Sequence, residues 1–185
     1  MYLQQADDRR LQTSIQSIEG LDDRALRNRA IVGLLLSTGI TAQEIRHTAA
    51  VDLDLSPARP HLLVPKRGAR EPRRVNVSEF AAPALARWLN RSTNAQSSLL
   101  FPSPRAGGPM TDEMLGRIVR EELEAVDIRV PDMSPRTLRN TFARRQLLAG
   151  RSDDDVMQMM GLATRHTLIR IRETIPITGE DSPKT

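Results

Sequence analysis

The stretch Ser134–Gly150, SPRTLRNTFARRQLLAG, decides how the rest of the chain is read. Ser134 is placed to cap a helix, Pro135 suits a first helical turn, and Gly150 suits its close. Leu138, Phe142, Gln146 and Ala149 fall on one helical face, and Leu147 and Leu148 widen the apolar stripe. Beside that stripe stand Arg136, Arg139, Arg144 and Arg145, with no acidic residue in the stretch. A helix with one buried face and several arginines lacking local partners is a candidate phosphate-binding element. The competing reading is a basic helix face that is simply solvated.

The other basic residues cluster as well. The net charge is only +4, but Lys66, Arg67, Arg70, Arg73 and Arg74 lie together with Glu71 as their single acid, and Arg165, Arg170 and Arg172 follow the arginine helix. Acids concentrate elsewhere, at Asp7, Asp8, Asp22, Asp23, 121–124 and 153–155. If the basic stretches share a face, that face attracts a polyphosphate despite the small net charge. The 185 residues fit one domain with short tails, and 39% hydrophobic content supports a core that is mostly aliphatic, since only 3% is aromatic. No apolar run approaches the roughly 20 residues of a membrane span, and residues 1–10 carry no signal-peptide core, so a cytoplasmic location is expected. With no cysteine and three scattered histidines, neither a metal nor another cofactor is expected.

In chain order, residues 1–20 read as a short helical extension with Leu11, Ile15 and Ile18 on one side, and Gly20 breaks it. A central core helix runs from Asp22 or Asp23 to Ser37, with Leu26, Ala30, Ile31, Leu34 and Leu35 at helical spacing. A shorter helix is expected over 41–48. His61–Val64 and Arg73–Val77 read as strands joined by a basic hairpin tip. Ser78–Leu89 is helical, with Pro83 either kinking it or marking its start, and 91–98 is a polar loop. Thr111 caps a helix to Val126. Ser152 and Asp155 have the spacing of a capping box for a helix to Met160. A last helix covers 164–174, and 176–185 is expected to be a flexible tail. The fold class is therefore mainly α (α+β), a helical bundle with a small inserted antiparallel β-hairpin or sheet.

This order of motifs resembles the catalytic domain of the tyrosine recombinases, the phage integrase family. The resemblance rests on RALRNRAIVGLLLSTGITAQEIRHTAAVDLDL at 24–55, LLVPKRGAREPRRVNVS at 62–78, LLFPS at 99–103 with GGPMT at 107–111, the arginine helix itself, and VMQMMGLATRHTLIRIRETI at 156–175. It implies a recombinase-type domain over 21–175. In that family two arginines stabilise charge on a DNA phosphate, a hairpin lysine acts as general acid, histidine-type residues assist, and a tyrosine attacks the phosphorus.

Carried over position by position, the resemblance is uneven. Lys66 stands at the hairpin lysine and Arg139 at the second arginine. The first arginine falls on Thr41, the histidine ahead of the second arginine on Arg136, the position after Arg139 on Asn140, and the late histidine on Leu162. The nucleophile position falls on Ile171, and the single tyrosine of the sequence is Tyr2, in what reads as a mobile terminus. Isoleucine has no nucleophilic atom. Thr164, Thr167 and Thr174 lack an assigned base, His166 being the nearest. The expectation is a site without cleavage chemistry that still binds double-stranded DNA through Lys66, Arg67, Arg70, Arg73, Arg136, Arg139, Arg144 and Arg165. Such a domain would serve as a regulator or accessory factor of a mobile element or plasmid, or as partner of an active recombinase or another DNA-bound protein.

Two other readings stay open: an interaction module with a vestigial DNA face, and a strand transferase with a relocated nucleophile, such as Tyr2 acting from another subunit. About 20 residues precede the resemblance and few follow position 171. A lone half-clamp with weak or absent oligomerisation is expected on that basis.

Overall fold

The computed structural model describes residues 1–66, 71–92, 98–105 and 107–175. Its helices are α1 (Gln5–Gln16), α2 (Asp23–Thr38), α3 (Ala42–Arg46), α4 (Ala82–Ser92), α5 (Asp112–Glu124), α6 (Pro135–Leu148), α7 (Asp153–Met160) and α8 (His166–Arg172). Between α3 and α4 lie β1 (Leu53–Asp54), β2 (His61–Val64) and β3 (Arg73–Asn76), an antiparallel sheet in the order β1-β2-β3. The register pairs Leu62 with Leu53 on one side and with Val75 on the other. The expected hairpin is thus present, widened by one short strand.

α2 is the centre of the molecule. Leu26, Ala30, Ile31, Leu34 and Leu35 are fully buried, as their spacing predicts, and the helix packs against α1, α4, α5 and α6. Asp22 caps it by accepting a hydrogen bond from the Ala25 N–H, and Gly39 ends it in the left-handed conformation at φ 64°. A Cβ at Gly39 would lie 2.3 Å from Cδ1 of Phe142, so only glycine allows α6 to approach the end of α2 this closely.

Residues 5–16 form the expected short helix, α1, and Leu3, Leu11 and Ile15 belong to the core. Tyr2 is not in a loose terminus. The Leu3 N–H donates to Thr141 Oγ1 at 2.8 Å in the interior, Asn140 Nδ2 donates to the Met1 carbonyl at 2.9 Å, and Arg144 stacks 4.8 Å above the Tyr2 ring. Pro83 does not kink α4; it sits in the first turn, where its missing N–H costs nothing. Ser134 occupies the N-cap of α6 without a side-chain hydrogen bond, whereas Thr111 and Ser152 do cap α5 and α7. On α6 the buried apolar side chains are Leu138, Phe142, Ala143 and Leu147; Leu148 and Ala149 face solvent. No helix among the described residues is long and apolar enough to cross a membrane.

Candidate nucleic-acid interface

Of the positions assigned by resemblance, Thr41, Arg139 and Leu162 lie where the C-terminal end of α2, the start of α3, strand β3, α6 and the end of α7 converge. At the position of the first arginine, Thr41 is a helix cap. Its Oγ1 accepts the Glu44 N–H at 3.2 Å, while Glu44 Oε2 accepts the Thr41 N–H at 2.8 Å, which closes a capping box. Glu44 is only 4% exposed and receives both ends of the Arg73 guanidinium, at 2.7 and 3.0 Å. Burial alone would raise the Glu44 pKa, but the Arg73 hydrogen bonds and charge, with the Thr41 N–H, outweigh it and hold the carboxyl down at about 2.

Arg73 therefore departs from the expectation of a solvent-facing hairpin cation. Its side chain is 6% exposed, and its Nε donates to the Met159 carbonyl at 2.9 Å. A Cβ on Gly161 would come within 2.8 Å of Arg73 Nη1, so the glycine that ends α7 in the left-handed conformation also makes room for this side chain. The strand pattern held the signal, because Arg73 shares its parity with buried Val75 and Val77.

Arg139 is also turned inward. It is 8% exposed and donates to the carbonyls of Gly39 and, at 2.8 Å, Met160. It lies three and four positions before Phe142 and Ala143, on the buried side of α6. Both arginines satisfy carbonyls left over at the ends of helices, where a cation is also favoured by the helix dipole.

The remaining candidates lie nearer the surface. Arg136 in the first turn of α6 is exposed and has no acidic partner among the described residues. Lys66 is exposed and lies 3.1 Å from exposed Glu71. Arg165 pairs with Asp154 at 2.6 Å, both in solvent. Arg144 is taken up by the Tyr2 ring, and neighbouring Arg145 grips Asp8 at 2.8 Å. Arg67 and Arg70, like the expected tail at 176–185, lie outside the described residues. Leu162 borders a groove of about 640 Å³ between the base of the hairpin and the end of α7. Ile171, at the nucleophile position, is 5% exposed and packed into the core.

Arg73, Arg139, Arg144 and Arg145 are thus engaged by groups of the protein itself, whereas Lys66 has only a solvent-screened pair. Sequence spacing alone did not single out Arg27, a deeply buried arginine near the start of α2. Its signal was its place three and four residues before core positions Ala30 and Ile31.

Known proteins share this architecture. The model of the phage integrase family matches residues 3–172. Tyrosine recombinase XerC of Staphylococcus saprophyticus is 27% identical over 154 residues, covering 82% of this chain and 50% of the relative. Tyrosine recombinase XerD of Corynebacterium glutamicum is 32% identical over 137 residues, covering 72% of this chain and 43% of the relative. The chain thus spans about half the length of the curated relatives it matches. Among solved structures, the XerA recombinase superposes with a TM-score of 0.76 at 24% identity, over 96% of this chain and 59% of that one. The XerH site-specific recombinase bound to its difH substrate gives 0.78 at 22%, over 93% and 49%. With nearly its whole described length matched and the same fold found in solved recombinases, this chain belongs to the phage integrase family.

Proposed function

We propose that this chain is a tyrosine-recombinase domain that binds duplex DNA and does not cleave it, acting as a regulator or accessory factor of a mobile element or plasmid. The observation that carries the reading is the pairing of two facts. Ile171 fills the nucleophile position with a core hydrocarbon, while Arg136 stays exposed and without an acidic partner on the same framework. Isoleucine offers no lone pair for attack on phosphorus. At the position of the first arginine, Thr41 uses its hydroxyl to cap α3 and brings no charge. An exposed guanidinium with a forked donor array still binds a phosphate. The kinship of the chain and the DNA-bound state of the XerH neighbour support the choice of ligand.

The test is a salt titration of duplex binding, wild type beside Arg136→Ala. Binding is expected to weaken linearly on a log–log plot, with the slope of the variant smaller by about one. Arg139 is the wrong residue for this test, because its removal strips the Gly39 and Met160 carbonyls of a donor. In parallel, a nicked duplex is incubated with the protein and resolved under denaturing conditions, where no covalent band is expected. Absence of binding at low salt, or a denaturation-resistant adduct, overturns the reading; loss of that adduct in Tyr2→Phe would identify a relocated nucleophile.

A further inference from the structure

Away from the family's catalytic positions, a cleft of about 690 Å³ opens between α2, α5, the 103–105 segment and Trp88 of α4. Its floor carries Arg27, which is 8% exposed. The guanidinium makes one side-chain hydrogen bond, Nη2 to Asn28 Oδ1 at 3.1 Å, and its Nε–H has no hydrogen-bond partner. Asn28 is neutral and compensates no charge. A buried cation in this condition costs the fold stability, and proteins rarely keep one without a counter-ion. Burial lowers its pKa, neighbouring Arg24 lowers it further, and Glu121 works in the other direction.

The walls do not cancel that charge. Arg24, Arg105 and Arg117 line the same cleft, against Glu121 and Asp23. Glu121 is shared by Arg24 at 3.1 Å and Arg117 at 4.0 Å, and Asp23 is engaged by Arg91. Arg105 is exposed and has no acidic partner among the described residues. The cleft therefore has a surplus of guanidinium, including a buried arginine whose Nε–H is unpartnered, and Ser103 and Thr111 in its lining. A volume in the range of ordinary ligand sites leaves room for an anion with its attached group.

We propose that this cleft is a phosphate-binding site, with Arg27 as its buried anchor and Arg105 as its outer clamp. The phosphate belongs either to the backbone of a nucleic acid or to a free phosphorylated ligand; both present anionic oxygens to the guanidinium groups that line the cleft. The site is independent of Arg136 and of the positions discussed for strand cleavage. It would let the chain hold a phosphate at a point remote from the vestigial centre.

The experiment titrates inorganic phosphate, at constant ionic strength set with chloride, into ¹⁵N-labelled protein and follows the arginine Nε–H resonances. Saturable movement of the Arg27 and Arg105 signals is expected, with affinity read at Arg27 weakened several-fold in Arg105→Gln and the Arg105 signal no longer moving in Arg27→Gln. Arg27→Met is expected to melt at or above the wild-type temperature without phosphate and to lose the upward shift that phosphate gives the wild type. A duplex titration separates the sources. A salt slope smaller by about one in Arg27→Gln assigns the site to a nucleic-acid phosphate; an unchanged slope with phosphate response intact in wild type assigns it to a free phosphorylated ligand. If the wild type ignores duplex DNA while phosphate still moves the Arg27 signal, the DNA-binding reading fails and this one stands. An Arg27 resonance indifferent to phosphate, with Arg105→Gln behaving as wild type, overturns it.

Discussion

Arg139 and Arg27 are equally buried, each 8% exposed, and each sits on the core-facing side of a long helix. Arg139 reaches carbonyls at two helix ends, Gly39 and Met160, and so ties α6 to α2 and α7. Arg27 reaches one neutral amide and leaves its Nε–H bare. In the first region the charge is absorbed into the architecture, with Arg73 and Glu44 completing the lattice. In the second, a buried guanidinium is held by one neutral amide and the charge of Glu121 alone. The number of arginines says little about anion binding; the acceptors around each guanidinium decide it.

The most damaging change expected at the first region is Glu44→Gln. It leaves Arg73 buried without its counter-charge, which costs about 3–5 kcal/mol and lowers the melting temperature by more than about 6 °C at ~2–4 °C per kcal/mol. A melt within 2–3 °C of wild type, in the spirit of a surface pair, would mean that the lattice is not structural. Next comes Gly39→Ala, which forces an alanine into a left-handed conformation and its Cβ against Phe142. About 1–2 kcal/mol for the backbone and about 1–3 kcal/mol for overpacking should appear in urea unfolding.

Acid titration gives a slightly smaller effect with a definite sign. Glu44 has its carboxyl held at about 2, below the 4.5 of an unperturbed glutamate. Its contribution is complete above about pH 4.5 and is lost as pH falls toward 2, amounting to about 3 kcal/mol. Glu122 has the opposite sign: burial raises its pKa against the pull of Arg29, so protonation favours its folded form. The difference between wild type and Glu44→Gln, measured as urea midpoints from pH 6 down to 2.5, isolates the Glu44 part. At the small end, Arg165→Ala breaks an exposed pair with Asp154 and should move stability by no more than about 0.5 kcal/mol. If it instead matches Glu44→Gln, depth of burial is not what separates the two kinds of arginine.

Much of this was legible before any coordinates. Helical spacing on α2, the turn chemistry of the hairpin and the Thr111 and Ser152 caps are local signals, and each led to the right element. The direction of individual arginines was harder, because a long side chain reaches across several positions and finds its partner far away in sequence. Arg73 meets Glu44 from another element, and Arg145 meets Asp8 across nearly the whole chain. Parity on β3 and the three-and-four spacing on α6 did carry the inward sense of Arg73 and Arg139, but a basic composition drew attention to charge ahead of position. Docking of residues 1–3 on α6 had no local sign at all, since it depends on a threonine and an asparagine 138 and 139 residues away.

That docking sets an order on synthesis. While the ribosome is still making α5, α1 can lie against α2 and α4, yet the acceptor for the Leu3 N–H and the cation for Asp8 have not been translated. Residues 1–3 and Asp8 settle only once α6 has been made, so a loop of more than 130 residues closes when they dock.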